Sequence, residues 1–246
     1  VIDVNVNETS YSDATRQIQS WAQAGESRSV YAINVHSVME AHDALEFRDV
    51  INQADLNTPD GMPLVWILRL KGIKDQRRVY GPTLMLHILE MAAYHRIPIG
   101  FYGGEPKTLE TLVARIKTMY PYLQINYAFS PPFRSLLDEE RVRIRHEIIS
   151  SGARILFVGL GCPRQEKWID SERESLPAVM IGVGAAFDFH AGLKPQAPQW
   201  MQRIGLEWLF RVWTEPRRLW KRYLYHNPRF IVLAIADLLG FLKRVD

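Results

Sequence analysis

Three times along this chain a short apolar run ends at a pair of glycines and passes straight into helix-forming sequence. In residues 154–168 the run Ile155-Leu156-Phe157-Val158 meets Gly159 and Gly161, and Pro163 opens a stretch of good helix formers through Arg164, Gln165 and Trp168. Residues 97–102 do the same ahead of Gly103-Gly104-Glu105-Pro106, and residues 178–184 do so ahead of Ala185-Ala186-Phe187-Asp188. A proline in the first helical turn loses no hydrogen bond, and glycine lets the backbone turn tightly and approach a ligand. Buried strands alternating with helices of ten or more residues predict an α/β fold, a mostly parallel, Rossmann-like sheet with helices on both faces.

The remaining pattern fills in that frame. Residues 2–6 alternate as a short strand, residues 11–24 carry apolar side chains at helical spacing until Gly25, and residues 30–33 read as a buried strand ending at Asn34-Val35-His36-Ser37. Ser37 is placed to cap the next helix. Thr58-Pro59-Asp60-Gly61-Met62-Pro63 is strong turn chemistry ahead of an apolar helix over 64–70. Further helices are expected over 81–95 and 138–150, with a strand near 123–127. Lys194-Pro195-Gln196-Ala197-Pro198 marks the expected boundary between a catalytic domain, residues 1–196, and a helical appendage, residues 197–246. The appendage reads as three helices: 199–213, a second restarted at Pro216, and a third capped by Asn227-Pro228 and running to about Lys243.

Charge separates the same two parts. The formal charge of the 246 residues is +3, but residues 203–246 hold nine Lys/Arg against four Asp/Glu, leaving 21 against 23 for the rest. A basic, aromatic-rich tail on a near-neutral domain points to an anionic partner such as a lipid surface or a diphosphate. One cysteine, Cys162, excludes an internal disulfide and any multi-cysteine metal site, as in a reducing compartment. No run approaches the roughly 20 apolar residues of a spanning helix, and the N-terminus has no signal-like core. The expected location is therefore cytoplasmic. The last helix, apolar on most sides, would cover the core, lie in a membrane interface, or be hidden in a homo-oligomer.

The chemistry follows from where side chains fall along these elements. Helix N-termini attract phosphate, so Arg164 and Gln165 would flank an anion beyond the fifth apolar run. Asn34 and His36 lie beyond the carboxyl end of a strand, where open α/β sheets bind ligands, although His36 taken alone reads better as a hydrogen-bonded loop histidine. Asp60 is either a turn residue or a carboxylate placed to accept a proton from a hydroxyl. The dinucleotide fingerprint lacks its third glycine, and there is no P-loop, zinc-ligand spacing or Asp-x-Asp pair. If helical phase carries through Pro216, Arg211, Arg218 and Arg222 share a face and could neutralise a diphosphate without metal, while Arg217 points away. An oxidoreductase and a nucleic-acid-binding module remain alternatives, the second disfavoured by the negative balance of the main domain.

Four segments in this order resemble the WecG/TagA/CpsF glycosyltransferases: Thr58–Pro63, Val158–Trp168, Gly182–Asp188, and Gly205-Leu206-Glu207-Trp208-Leu209-Phe210-Arg211 with Glu215-Pro216-Arg217-Arg218. The resemblance implies inverting transfer from a UDP-sugar, of the N-acetylmannosamine type, to an undecaprenyl-diphosphate-linked sugar at the cytoplasmic membrane face. No cofactor is expected, no metal given the arginines and the missing Asp-x-Asp pair, and no nucleic acid given the negative balance of the main domain. Carried over by motif, Asp60 is the general base and Gln165 the active-site glutamine, with Asn34 as a third catalytic candidate. Thr58, Gly103, Gly104, Gly159, Gly161 and Pro163 are expected to bind substrate, with Arg164, Gly184 and Asp188. Arg211, Arg218 and Arg222 are expected to close over the leaving diphosphate. The chain departs from the pattern at Ala32-Ile33-Asn34, where many members have Thr-x-Asn, and this bears on the donor sugar.

Overall fold

The computed structural model describes residues 1–241. The chain runs through α1 (Tyr11–Ala24), β1 (Arg28–Ile33), α2 (Val35–Asp43), α3 (Leu45–Asn52), β2 (Leu56–Pro59), α4 (Met62–Leu70) and α5 (Gly81–His95). Next come β3 (Ile99–Gly103), α6 (Pro106–Met119), β4 (Ile125–Phe129), α7 (Asp138–Ser151), β5 (Ile155–Gly159) and α8 (Arg164–Glu172). β6 (Val179–Gly182), α9 (Ala186–His190), α10 (Gln199–Arg203), α11 (Glu207–Thr214) and α12 (Pro216–Leu238) complete the described chain.

All strand pairs are parallel, in the order β2-β1-β6-β5-β3-β4. The strands read as continuous apolar runs because both faces are covered. On one face Val30, Phe101, Phe157 and Ile181 meet Ile18 of α1, Ile88 of α5, Leu112 of α6 and Phe187 of α9. On the other, Tyr31, Tyr102, Leu156 and Met180 meet Val38 of α2, Phe47 of α3, Ile144 of α7 and Ile169 of α8. Phe230 and Ala234 of α12 join this second core. The expected α/β, doubly covered parallel sheet is therefore present. Its carboxyl edge, where β1, β2, β5 and β6 end side by side, faces α11 and α12.

Four local expectations are corrected. Residues 2–6 form no strand: Ile2 and Asp3 take positive φ, and the alternation instead buries Ile2 and Val4 as anchors beneath α12. α2 starts at Val35, capped by Asn34, whose Oδ1 accepts from the amides of His36 (3.0 Å) and Ser37 (3.3 Å), so Ser37 lies inside the helix. The helix expected over 199–213 is two helices, parted at Gly205, whose φ of +76° ends α10. Finally, the helix does not restart at Asn227; α12 passes through Pro228 unbroken. Leu219, His226, Phe230 and Ala234 are buried along one stripe of α12, and that packing outweighs the single backbone donor a proline lacks. The expected helix end near Lys243 lies outside the described residues.

Candidate active site

A cavity of about 1200 Å³ opens between the carboxyl edge of the sheet and the three C-terminal helices. Its floor is made by Asn34 after β1, Asp60 after β2, Gly161 and Gln165 after β5, and Gly184 after β6. Arg211 from α11 and Arg218 and Arg222 from α12 close it on the opposite side. Away from this polar end the cavity continues as an apolar trough between Trp66, Ile67 and Leu70 of α4 and Ile231, Ile235 and Leu238 of α12.

Asp60 is held where the β1–β2 pairing runs one residue past the strands, its amide donating to the Ile33 carbonyl at 2.9 Å. Burial pushes its carboxyl up to about 6, a rise opposed by Arg78 and reinforced by Glu207. Arg78 Nη2 lies 3.0 Å from Asp60 Oδ1 and 2.7 Å from Glu207 Oε2. A carboxyl titrating there is ionised at neutral pH and still basic enough to take a proton.

Gln165 joins two turns. Its Oε1 accepts from the amides of Gly161 (3.2 Å) and Gly184 (3.0 Å), and its Nε2 donates to Glu166 Oε1 at 2.8 Å. The Gly161 and Gly184 amides thus serve Gln165 directly rather than pointing at a ligand. Glu166 is buried, and burial pushes it up to about 7, with Gln165 opposing. Its Oε2 has no hydrogen-bond partner among the described residues. Burial also raises the neighbouring Cys162 thiol well above its usual range.

The three arginines reach the cavity by a route other than the expected one. α11 and α12 are separate helices meeting at Glu215, so no single helical face carries all three. Arg211 Nε and Arg222 Nε are buried with no hydrogen-bond partner among the described residues, while Arg218 is half-exposed and pairs with Glu215 at 2.7 Å. Burial and the neighbouring Arg211 and Arg218 push Arg222 below its ordinary value. Two partly buried guanidiniums with unpartnered Nε atoms thus face one cavity, a chemistry suited to an anion.

One group has the side-chain types of a metal site: His36 and Glu40 of α2 and His226 of α12, with candidate ligand atoms within 4.8 Å of one another. Burial, then Arg222, His226 and Arg211, push His36 down to about 3, so it is neutral near pH 7. The same arginines oppose a divalent cation there, and Glu40 Oε1 lies 3.6 Å from His36 Nδ1 and 3.5 Å from His226 Nε2, so the group links α2 to α12.

Thr58, Gly103, Gly104, Gly159, Pro163 and Asp188 lie apart from the cavity lining. Thr58 is buried in β2, with its hydroxyl 3.4 Å from the Val79 carbonyl. Gly104 N donates to the Gly159 carbonyl at 3.0 Å, and a Cβ on Gly103 would meet Gly159 backbone at 2.7 Å. Pro163 occupies the cap of α8 rather than its first turn, and Asp188 pairs with Lys194 at 2.8 Å. Arg164 lines the cavity and stacks over Phe133 at 4.6 Å. Ala32, at the position where the family resemblance has threonine, lines the cavity as well. Sequence reasoning missed Arg78, Tyr80, Glu166 and Glu207. Two of these carried a signal: Glu166 follows Gln165 in the quoted segment Val158–Trp168, and Glu207 stands four residues before Arg211 in another.

A family model described as "Glycosyl transferase WecG/TagA/CpsF family" matches residues 1–244. The chain is 31% identical over 235 residues to the N-acetylglucosaminyldiphosphoundecaprenol N-acetyl-beta-D-mannosaminyltransferase of Bacillus subtilis (strain 168), covering 95% of this chain and 88% of that protein. It is 31% identical over 197 residues to the protein of the same name from Bacillus spizizenii, covering 80% and 74% of the two chains.

Proposed function

The chain belongs to the WecG/TagA/CpsF glycosyl transferase family, and from that premise we propose that it moves an N-acetylmannosamine-type sugar from a UDP-sugar to a sugar carried on undecaprenyl diphosphate. The observation that carries this reading is the two-part cavity, which joins a polar end at Asp60, Gln165 and the arginines to an apolar trough between α4 and α12. A polar end suits a nucleotide sugar and an acceptor hydroxyl. An apolar trough suits an isoprenoid chain. The family match favours a transferase over an oxidoreductase or a nucleic-acid-binding module.

In the proposed reaction an acceptor hydroxyl attacks the anomeric carbon from the face opposite UDP. The new carbon–oxygen bond forms as the bond to the UDP oxygen breaks, and the hydroxyl proton passes to Asp60. Negative charge gathers on the departing diphosphate, where Arg211, Arg218 and Arg222 would neutralise it in place of a metal ion. Inversion follows because one displacement needs one base and no carboxylate nucleophile. Gln165, with its oxygen committed to two backbone amides, holds the β5 and β6 turns in register with the sugar-binding floor. Residues 197–246 serve as the appendage that covers the site and meets the cytoplasmic face of the membrane. No helix among the described residues is long and apolar enough to cross a membrane.

The test is release of UDP from a panel of UDP-sugars mixed with a short-chain lipid-diphosphate-linked sugar, with and without EDTA. The expected outcome is acceptor-dependent release from one donor class, undiminished by EDTA. Release that needs an added divalent ion, or no release from any donor by protein that binds UDP, would overturn the reading.

A further inference from the structure

Arg78 stands between two acids from distant parts of the chain. Its Nη2 contacts both Asp60 Oδ1 and Glu207 Oε2, at 3.0 and 2.7 Å, and its Nε donates to the Asp60 carbonyl. Tyr80 Oη donates to the other Glu207 oxygen at 3.1 Å, and the Arg78 guanidinium lies 4.0 Å over the Tyr80 ring. Glu207 is therefore held at both oxygens. The Asp60, Arg78 and Glu207 side chains are only 13–15% exposed, so solvent screens them little. One buried cation cannot fully neutralise two buried carboxylates, and the group retains a net charge of about −1.

The placement of Glu207 links this group to the appendage. It is the first residue of α11, set by the Gly205 turn that packs against Met62 and Trp66 of α4. One turn further on, the same helix carries Arg211 to the cavity. Docking of α11 thus delivers a diphosphate-facing cation and a second anion together.

We propose that Glu207 is a positioning residue for proton transfer: by sharing Arg78 with Asp60, it keeps Asp60 basic. This rests on reading Asp60 as the base. The other titratable or charged groups facing Asp60 are Arg78 and Tyr80 from the segment before α5, and Tyr11 from α1; the Gly81 amide also donates to it. None of them belongs to the appendage. Glu207 is the acid that α11 brings to this group, and Arg211, one turn further along the same helix, faces Glu207 and Tyr80 and acts in the opposite sense.

The experiment follows kcat/KM for UDP release against pH in the full chain, with donor and lipid-linked acceptor. Glu207→Gln keeps an acceptor for Arg78 and Tyr80 but removes the charge. It is expected to move the acidic limb down by about one pH unit and to lower plateau turnover roughly 3- to 10-fold. Glu207→Asp, which retains the charge, is expected to leave the limb at the wild-type position. Glu207→Ala makes the same prediction for the limb as Gln and replaces it if melting shows that the Gln variant folds poorly. An unmoved limb in the charge-removing variant, or an equal shift in Glu207→Asp, would overturn the proposal. Asp60→Asn separates the two levels of the argument and is expected to reduce turnover by roughly a hundredfold or more. Near-normal turnover in Asp60→Asn would remove the base itself, whereas loss there with an unmoved limb in Glu207→Gln would remove only the role of Glu207.

Discussion

Glu166 shows what a single buried carboxyl contributes to the behaviour of the molecule. It accepts from Gln165, its second oxygen has no partner among the described residues, and burial pushes it up to about 7. A folded-state value above that of the unfolded chain means the native state holds this proton more tightly. Its contribution to stability is therefore fully present below about pH 4.5 and is lost as pH rises through about 7. Glu166→Gln removes that dependence. The variant should match wild type near pH 4.5 and gain on the order of 2 kcal/mol relative to it at pH 8, read by urea denaturation at both values. At this scale the candidate site was only partly legible. Asp60 and Gln165 stand beside turn glycines and prolines that mark strand ends, whereas Arg78 carries no local pattern because its partners, Asp60 and Glu207, are chosen by the fold, and the burial that shifts Glu166 is likewise set by the fold.

The glycine turns that define the elements divide into two physical kinds. A Cβ on Gly159 would lie 2.6 Å from the ring of Phe187 of α9, which is buried and packs edge-on against Phe101 of β3. Gly159→Ala should destabilise the protein by about 1–3 kcal/mol through overpacking. Gly161, at φ +78°, has no atom within 4 Å of such a Cβ, and its alanine variant should lose only about 1 kcal/mol of backbone preference. Denaturant titrations of the two variants should separate them clearly. Equal losses would mean that conformation rather than packing selects glycine at both turns. The elements themselves were legible wherever helical or strand periodicity was undisturbed, from α1 through β6. The appendage was misread at Pro228 because local propensity predicts a break, while Leu219, Phe230 and Ala234 bury against the core and hold one helix.

Across the whole molecule, basic charge and exposed apolar surface coincide on α11 and α12. Trp213 is 86% exposed and Leu224, Val232 and Leu239 are each more than 60% exposed, beside Arg217, Arg218 and Lys221. A contiguous face of this kind either meets lipid or meets another protein surface. If it meets an anionic membrane, vesicles containing phosphatidylglycerol should blue-shift tryptophan emission. Raising salt should weaken binding without abolishing it, since only the electrostatic part is screened. No shift, together with a concentration-dependent increase in mass, would instead assign the face to a second copy of the chain. By itself, the sequence determined the α/β class, the strand ends that carry Asp60 and Gln165, and the basic, apolar character of the tail. All of these are written in local periodicity, turn chemistry and composition. Only the tertiary structure decided that Arg78 is shared by Asp60 and Glu207, that Gln165 is committed to the Gly161 and Gly184 amides, and that Arg211 and Arg222 converge from two helices. Apart from the Gln165–Gly161 bond, those contacts join different elements of the chain, and their energies depend on burial, which no short stretch of sequence encodes.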